Sequence, residues 1–162
     1  MKKLEIDFLE LEDAMTWNNE LSEDYRCLNI VTGEIHIVLE EVVRAIKDNN
    51  EEELSCWQKD EVKITKNILN NENQFIDIPK IESRDSYRWM QNFIETLDND
   101  VLVKDLNDAI NRGRPFRRFK DALVDYDKEN ESRFKFYSDK IKIEATLWLK
   151  ERNIIPYWLE RK

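Results

Sequence analysis

The stretch Arg112-Gly113-Arg114-Pro115-Phe116-Arg117-Arg118-Phe119-Lys120-Asp121-Ala122-Leu123 concentrates positive charge in a chain whose formal net charge is -9. Arg112, Arg114, Arg117, Arg118 and Lys120 are its candidate binding residues. Guanidinium groups present planar forks of N–H donors that match carboxylate and phosphate oxygens, so the chemistry on offer is anion recognition. Free backbone N–H groups at a helix N-terminus would add to it. Cations there reinforce the positive end of the helix dipole instead of offsetting it, which is mildly unfavourable for folding. Such a placement suits an anionic ligand or an acidic protein segment. The competing reading is self-pairing. Asp121 lies within reach of Arg117 and Arg118 along the helix, and the chain holds 35 acidic residues that could neutralise the cluster.

Local signals set the frame for these side chains. Gly113 can adopt a positive φ and end the preceding helix. Pro115 has its φ fixed near the helical value and lacks an N–H, which suits the first position of a new helix. A helix is therefore predicted from Pro115 to about Asp125. Helical periodicity gathers Phe116, Phe119, Ala122, Leu123 and Tyr126 on one face. Arg117, Arg118, Asp121 and Asp125 fall opposite, with Lys120 beside Phe116 at the border. Both phenylalanines are expected to anchor the helix in the core.

Ahead of this segment, Asp7–Thr16 reads as a short helix with Phe8, Leu11, Ala14 and Met15 on one face, broken by Trp17-Asn18-Asn19. Tyr25–Val31 and Glu34–Leu39 flank Thr32-Gly33 and read as a β-hairpin. Glu40–Asn50 is ambiguous between strand and helix. Glu51–Leu69 is expected to be one helix burying Leu54, Trp57, Ile64 and Ile68, its three leading glutamates complementing the N-terminus. Gln74–Ile78 is a short strand closed by Pro79, and it is expected to join the hairpin. Ser83 is a plausible cap for a helix through Leu97, whose stripe is Tyr87, Met90, Phe93, Ile94 and Leu97. Asp98 or Asn99 caps the next helix, through Asn111. The last helix, from about Glu131 to Glu151, has two apolar stripes, one containing Phe134 and Ile141, the other Phe136, Ile143 and Leu147. Burial on both sides is the expectation, with dimerisation as the alternative. The tail Ile154–Leu159 is apolar and is expected to fold back onto the body.

Composition narrows the class. At 162 residues, one domain spanning residues 1–162 is expected, and a chain of this length can bury a sizeable core without metals or disulfides. Two glycines and three prolines favour helices over an all-β sandwich. Cys27 and Cys56 show no metal-ligand spacing and read as reduced thiols of a cytoplasmic protein. Acids interrupt the N-terminus too early for a signal peptide, and no apolar run approaches a membrane span. Neither a GxGxxG fingerprint nor a P-loop is present, so no cofactor is expected. Zinc is disfavoured by the scarcity of Cys and His. His36, the lone histidine, reads as a partly exposed strand residue, and no catalytic residue can be assigned around it. The acidic balance weighs against nonspecific nucleic-acid binding.

Four segments carry a resemblance: Leu28-Asn29-Ile30-Val31-Thr32-Gly33-Glu34-Ile35, Ile76-Asp77-Ile78-Pro79, Met90-Gln91-Asn92-Phe93-Ile94 and Pro115-Phe116-Arg117-Arg118-Phe119-Lys120-Asp121-Ala122-Leu123. Their order and spacing resemble Uncharacterised Protein Family 0158 of bacteria, and the arginine segment is the most specific match. The resemblance implies a soluble, single-domain bacterial protein and supplies no activity. The expected fold is α+β, mainly helical, with a small antiparallel sheet made of the hairpin plus one short strand. The expected function is a non-enzymatic interaction or regulatory module that meets an acidic protein segment or an anion through its arginine helix. RNA or DNA binding through the same patch and an enzyme with an unrecognised site are the alternatives.

Overall fold

The computed structural model describes residues 1–17 and 22–159. The chain divides into two compact units, Met1–Lys80 with Ala145–Lys162, and Ile81–Glu144. The secondary structure is mainly helical with two small sheets, an α+β protein as its composition suggests. Among the described residues no helix is long and apolar enough to cross a membrane.

In the first unit, β1 (Lys2–Asp7) runs directly into α1 (Phe8–Thr16). Asp7 makes that transition, its carboxylate accepting the Glu10 N–H at 3.2 Å to cap the helix. Phe8, Leu11, Ala14 and Met15 are all buried, as their spacing requires. Trp17 is extended and ends α1; the rest of the anticipated break, Asn18 and Asn19, lies outside the described residues. The hairpin forms from β2 (Tyr25–Asn29) and β3 (Ile35–Val38), with β4 (Phe75–Asp77) on the other side of β2. Both pairings are antiparallel, with Cys27 opposite His36 on one side and Asp77 on the other. Cys27, Val38, Ile68 and Phe75 form the core under this sheet.

Glu40–Asn50 resolves as a helix, α2 (Glu40–Lys47). The single helix anticipated over Glu51–Leu69 is instead three pieces: a 3-10 turn at Glu51–Glu53, α3 (Cys56–Asp60) and α4 (Val62–Asn70). Ser55 starts α3 with a capping box, and the Gln58 side chain reaches back to the Ser55 N–H at 3.0 Å. The extended backbone at Leu54 breaks the helical phase, and Trp57, expected in the core, is 61% exposed.

β5 (Ile154–Leu159) is the apolar tail, and it pairs parallel with β1, Leu4 opposite Pro156 and Ile6 opposite Trp158. Leu4, Ile6 and Ile154 are buried, and the Phe8 and Trp158 rings meet edge to face at 5.2 Å. This sheet is additional to the expected antiparallel one.

The second unit is helical. It comprises α5 (Ser83–Ile94), α6 (Asp100–Ile110), α7 (Pro115–Ala122) and the portion through Glu144 of α8 (Asp127–Lys150). Ser83 is the first residue of α5 rather than its cap, a position taken by Glu82. Asn99 caps α6, accepting the Leu102 N–H at 3.1 Å. Met90, Phe93 and Ile94 of α5 pack with Leu102, Leu106 and Ile110 of α6 and with Phe119 and Leu123 from the α7 segment. Phe93 is the hub, edge to face with Phe119 at 6.2 Å and with Phe136 at 5.6 Å. Along α8, Ile141, Ala145, Trp148 and Leu149 are buried, whereas Phe134, Ile143 and Leu147 are exposed, so the two-sided burial expected of this helix is not found.

Candidate functional site

All five candidate cations sit at the α6–α7 turn or on α7, within the helical unit. The C-terminus of α6 is held by Tyr87, whose hydroxyl donates to the Ile110 carbonyl at 3.0 Å. Arg112 and Gly113 then lead to the reversal. Gly113 was expected to supply the positive φ, but the residue that does so is Arg114, at φ 59° and ψ 56°. Pro115 does not account for the displacement: a proline pushes the residue before it toward extended backbone, and Arg114 is left-handed against that preference. Pro115 itself occupies the first turn of α7 as expected.

The helix is shorter than anticipated, ending at Ala122, and its two phenylalanines part company. Phe119 is 1% exposed and belongs to the core, whereas Phe116 is 44% exposed. Helical side chains lean toward the N-terminus, so a first-turn residue reaches past the start of the helix rather than over a preceding turn. Phe116 therefore lies exposed, one turn from Lys120.

Self-pairing accounts for little of the cluster. Among the described residues, Arg112, Arg114, Arg117 and Lys120 have no carboxylate within 4.0 Å. Arg118 donates from Nε to the Gly113 carbonyl at 2.7 Å, a bond that braces the turn and leaves the terminal nitrogens available. Arg112 and Arg118 do share a shallow depression of about 310 Å³ with Asp105, Asp108 and Asp121. That part of the surface has mixed charge. Arg114, Arg117 and Lys120 lie outside the depression, and Lys120 is one helical turn from the exposed Phe116 ring. Sequence periodicity placed the cations correctly on the surface but put Phe116 in the core.

Elsewhere the titratable groups read as packing. His36 faces the Phe75 ring at 6.1 Å and has Glu34 at 3.6 Å. Its cross-strand neighbour Cys27 is fully buried, and burial, helped by the Asp77 charge, pushes its thiol up to about 11. A nucleophilic cysteine needs the opposite shift. Tyr137 is likewise held above its usual value by burial, with Arg133 acting against the rise. Among the described residues no group of three or more His, Cys, Asp or Glu side chains is arranged to hold a metal ion.

The helix end thus brings exposed cations and an exposed aromatic ring onto a mainly helical α+β chain. The sequence model of the Uncharacterised protein family (UPF0158) matches residues 1–161, and the chain belongs to that family. Neither a curated protein nor a solved structure matches it.

Proposed function

We propose that the protein is a non-enzymatic interaction or regulatory module of the bacterial cytoplasm. In this reading Arg112, Arg114, Arg117, Arg118 and Lys120 meet an acidic protein segment or anionic partner. The observation that carries the reading is Arg114. A left-handed backbone costs an ordinary L-residue about 1–2 kcal/mol, and glycine, which would relieve it, stands one position away. The other non-glycine residues with positive φ among those described are Asn49 and Asn153, and asparagine tolerates this region well. An arginine held there against local preference, beside cations that make no ion pair within 4.0 Å among the described residues, fits a surface kept for binding. The free thiols of Cys27 and Cys56 fit a reducing compartment.

Immobilised protein incubated with bacterial lysate tests this reading, with wild type beside Arg117→Ala/Arg118→Ala and with protein and nucleic acid both analysed. The expected result is a protein partner retained by wild type and lost both by this variant and by Arg117→Ala/Lys120→Ala, which keeps the Arg118 bond to the Gly113 carbonyl and should melt at the wild-type temperature. Retention of the same material by wild type and variants would assign these arginines to structure. Nucleic acid lost from the variants would transfer the patch to RNA or DNA binding, and a steep salt dependence would accompany it.

A further inference from the structure

We infer that the segment received by the α7 cations carries an apolar side chain between its carboxylates, and that Phe116 selects it. This inference rests on the reading that the α7 cations form a binding surface, and it specifies what they bind.

The surface has two parts of different character. On the α6 side, Arg112 and Arg118 lie among Asp105, Asp108 and Asp121, so two cations face three carboxylates around the same depression. A phosphate backbone tracking across it would meet repulsion as often as attraction. Nucleic-acid affinity comes from many phosphates neutralised in a row, and the cations outside this depression are Arg114, Arg117 and Lys120. The chain's total of -9 adds to the repulsion of a long polyanion.

Outside the depression the surface also offers an apolar spot. Phe116 is 44% exposed, with Lys120 one helical turn on along the same face and Arg117 on the adjoining one. A small inorganic anion would satisfy the cations and leave the ring in water. A polyanion without apolar groups would do the same. A short acidic segment with an intervening leucine or aromatic residue uses both features. Its carboxylates pair with Arg114, Arg117 and Lys120, and its apolar side chain covers the ring. Interface affinity concentrates in such aromatic and arginine anchors once they are desolvated.

Fluorescence anisotropy on the full chain at low salt separates these cases, with three labelled probes. One is a peptide of aspartate and glutamate punctuated by leucine. The second replaces each leucine by serine. The third is an oligouridylate. The leucine peptide should bind wild type about tenfold or more tightly than either other probe, a preference of the size one good anchor supplies. Phe116→Ala should erase the preference for leucine over serine and leave the melting temperature unchanged. Arg117→Ala/Arg118→Ala should weaken both peptides. Equal binding of the two peptides by wild type overturns the role of Phe116, and loss of both in the arginine variant would then leave the broader reading standing. Peptide binding that ignores the arginine variant contradicts the broader reading as well. Tightest binding of oligouridylate, or no binding of the leucine peptide, also overturns the inference.

Discussion

The two glycines of this chain occupy turns of opposite logic. At Gly33 the backbone adopts φ 82°, and a Cβ built there would sit 1.9 Å from the carbonyl oxygen of Glu5 in β1. The turn is fastened throughout. Asn29 accepts from the N–H groups of Val31 and Thr32 at 2.9 and 3.2 Å, and Gly33 donates to the Asn29 carbonyl at 2.8 Å. No other residue type fits, because the conformation and the close approach both exclude a side chain. At the α6–α7 turn the glycine is not where the strain is. Gly113 has no positive φ, and an added Cβ would meet nothing within 4 Å, while Arg114 takes the left-handed conformation. One turn is solved for stability. The other leaves stability unclaimed at the position that carries charge, as sites shaped for function commonly do.

Substitutions can break that contrast. The largest effect should come from the core beneath the arginine turn: Phe119→Ala should cost about 3–5 kcal/mol in urea unfolding, whereas Phe116→Ala should cost less than about 0.5 kcal/mol. Equal losses would mean that the face of α7 has been misread. Gly33→Ala comes next, at about 2–5 kcal/mol, the sum of a left-handed alanine and a displaced β1 strand. A loss there below about 1 kcal/mol would dissolve the difference between the turns. Gly113→Ala should be neutral or stabilise by about 0.4–1 kcal/mol, because it restricts the unfolded chain without strain. A smaller readout concerns the thiols. Cys56 should react with a thiol reagent near neutral pH in the folded protein, while Cys27, buried and fully protonated there, should react only on unfolding.

Much of the helical framework was legible because it is local. The 3.6-residue stripes of α1 and α5 name their own buried faces, and Asn99 is one of the two caps the sequence offers for the start of α6. Thr32-Gly33 likewise marks the hairpin, since its requirement is a single residue in a single conformation. Three kinds of error remained. The pairing of β1 with β5 joins residues more than a hundred positions apart, and neither strand advertises its partner. Ser55 and Gln58 carried a capping-box spacing that splits the Glu51–Leu69 segment, but the apolar positions around it still fit one continuous helix. Phe116 and Ile143 show the third kind. Periodicity says that residues share a face, not whether anything covers it, so exposed apolar positions at helical spacing were read as core. The same gap governs the candidate site. The cations could be found in the sequence, but their lack of ion-pair partners among the described residues, and the placement of the reversal on Arg114, came only with the structure.

The most direct test of the central claim is the unfolding free energy of Arg114→Gly. Arg114 caps α7 without a side-chain hydrogen bond to the helix, so glycine would remove strain and no capping bond. If stability is withheld at this turn for the sake of the patch, the variant should be more stable than wild type by about 1 kcal/mol. A variant less stable than wild type would show that Arg114 holds the turn together, and the surface would lose its claim to function.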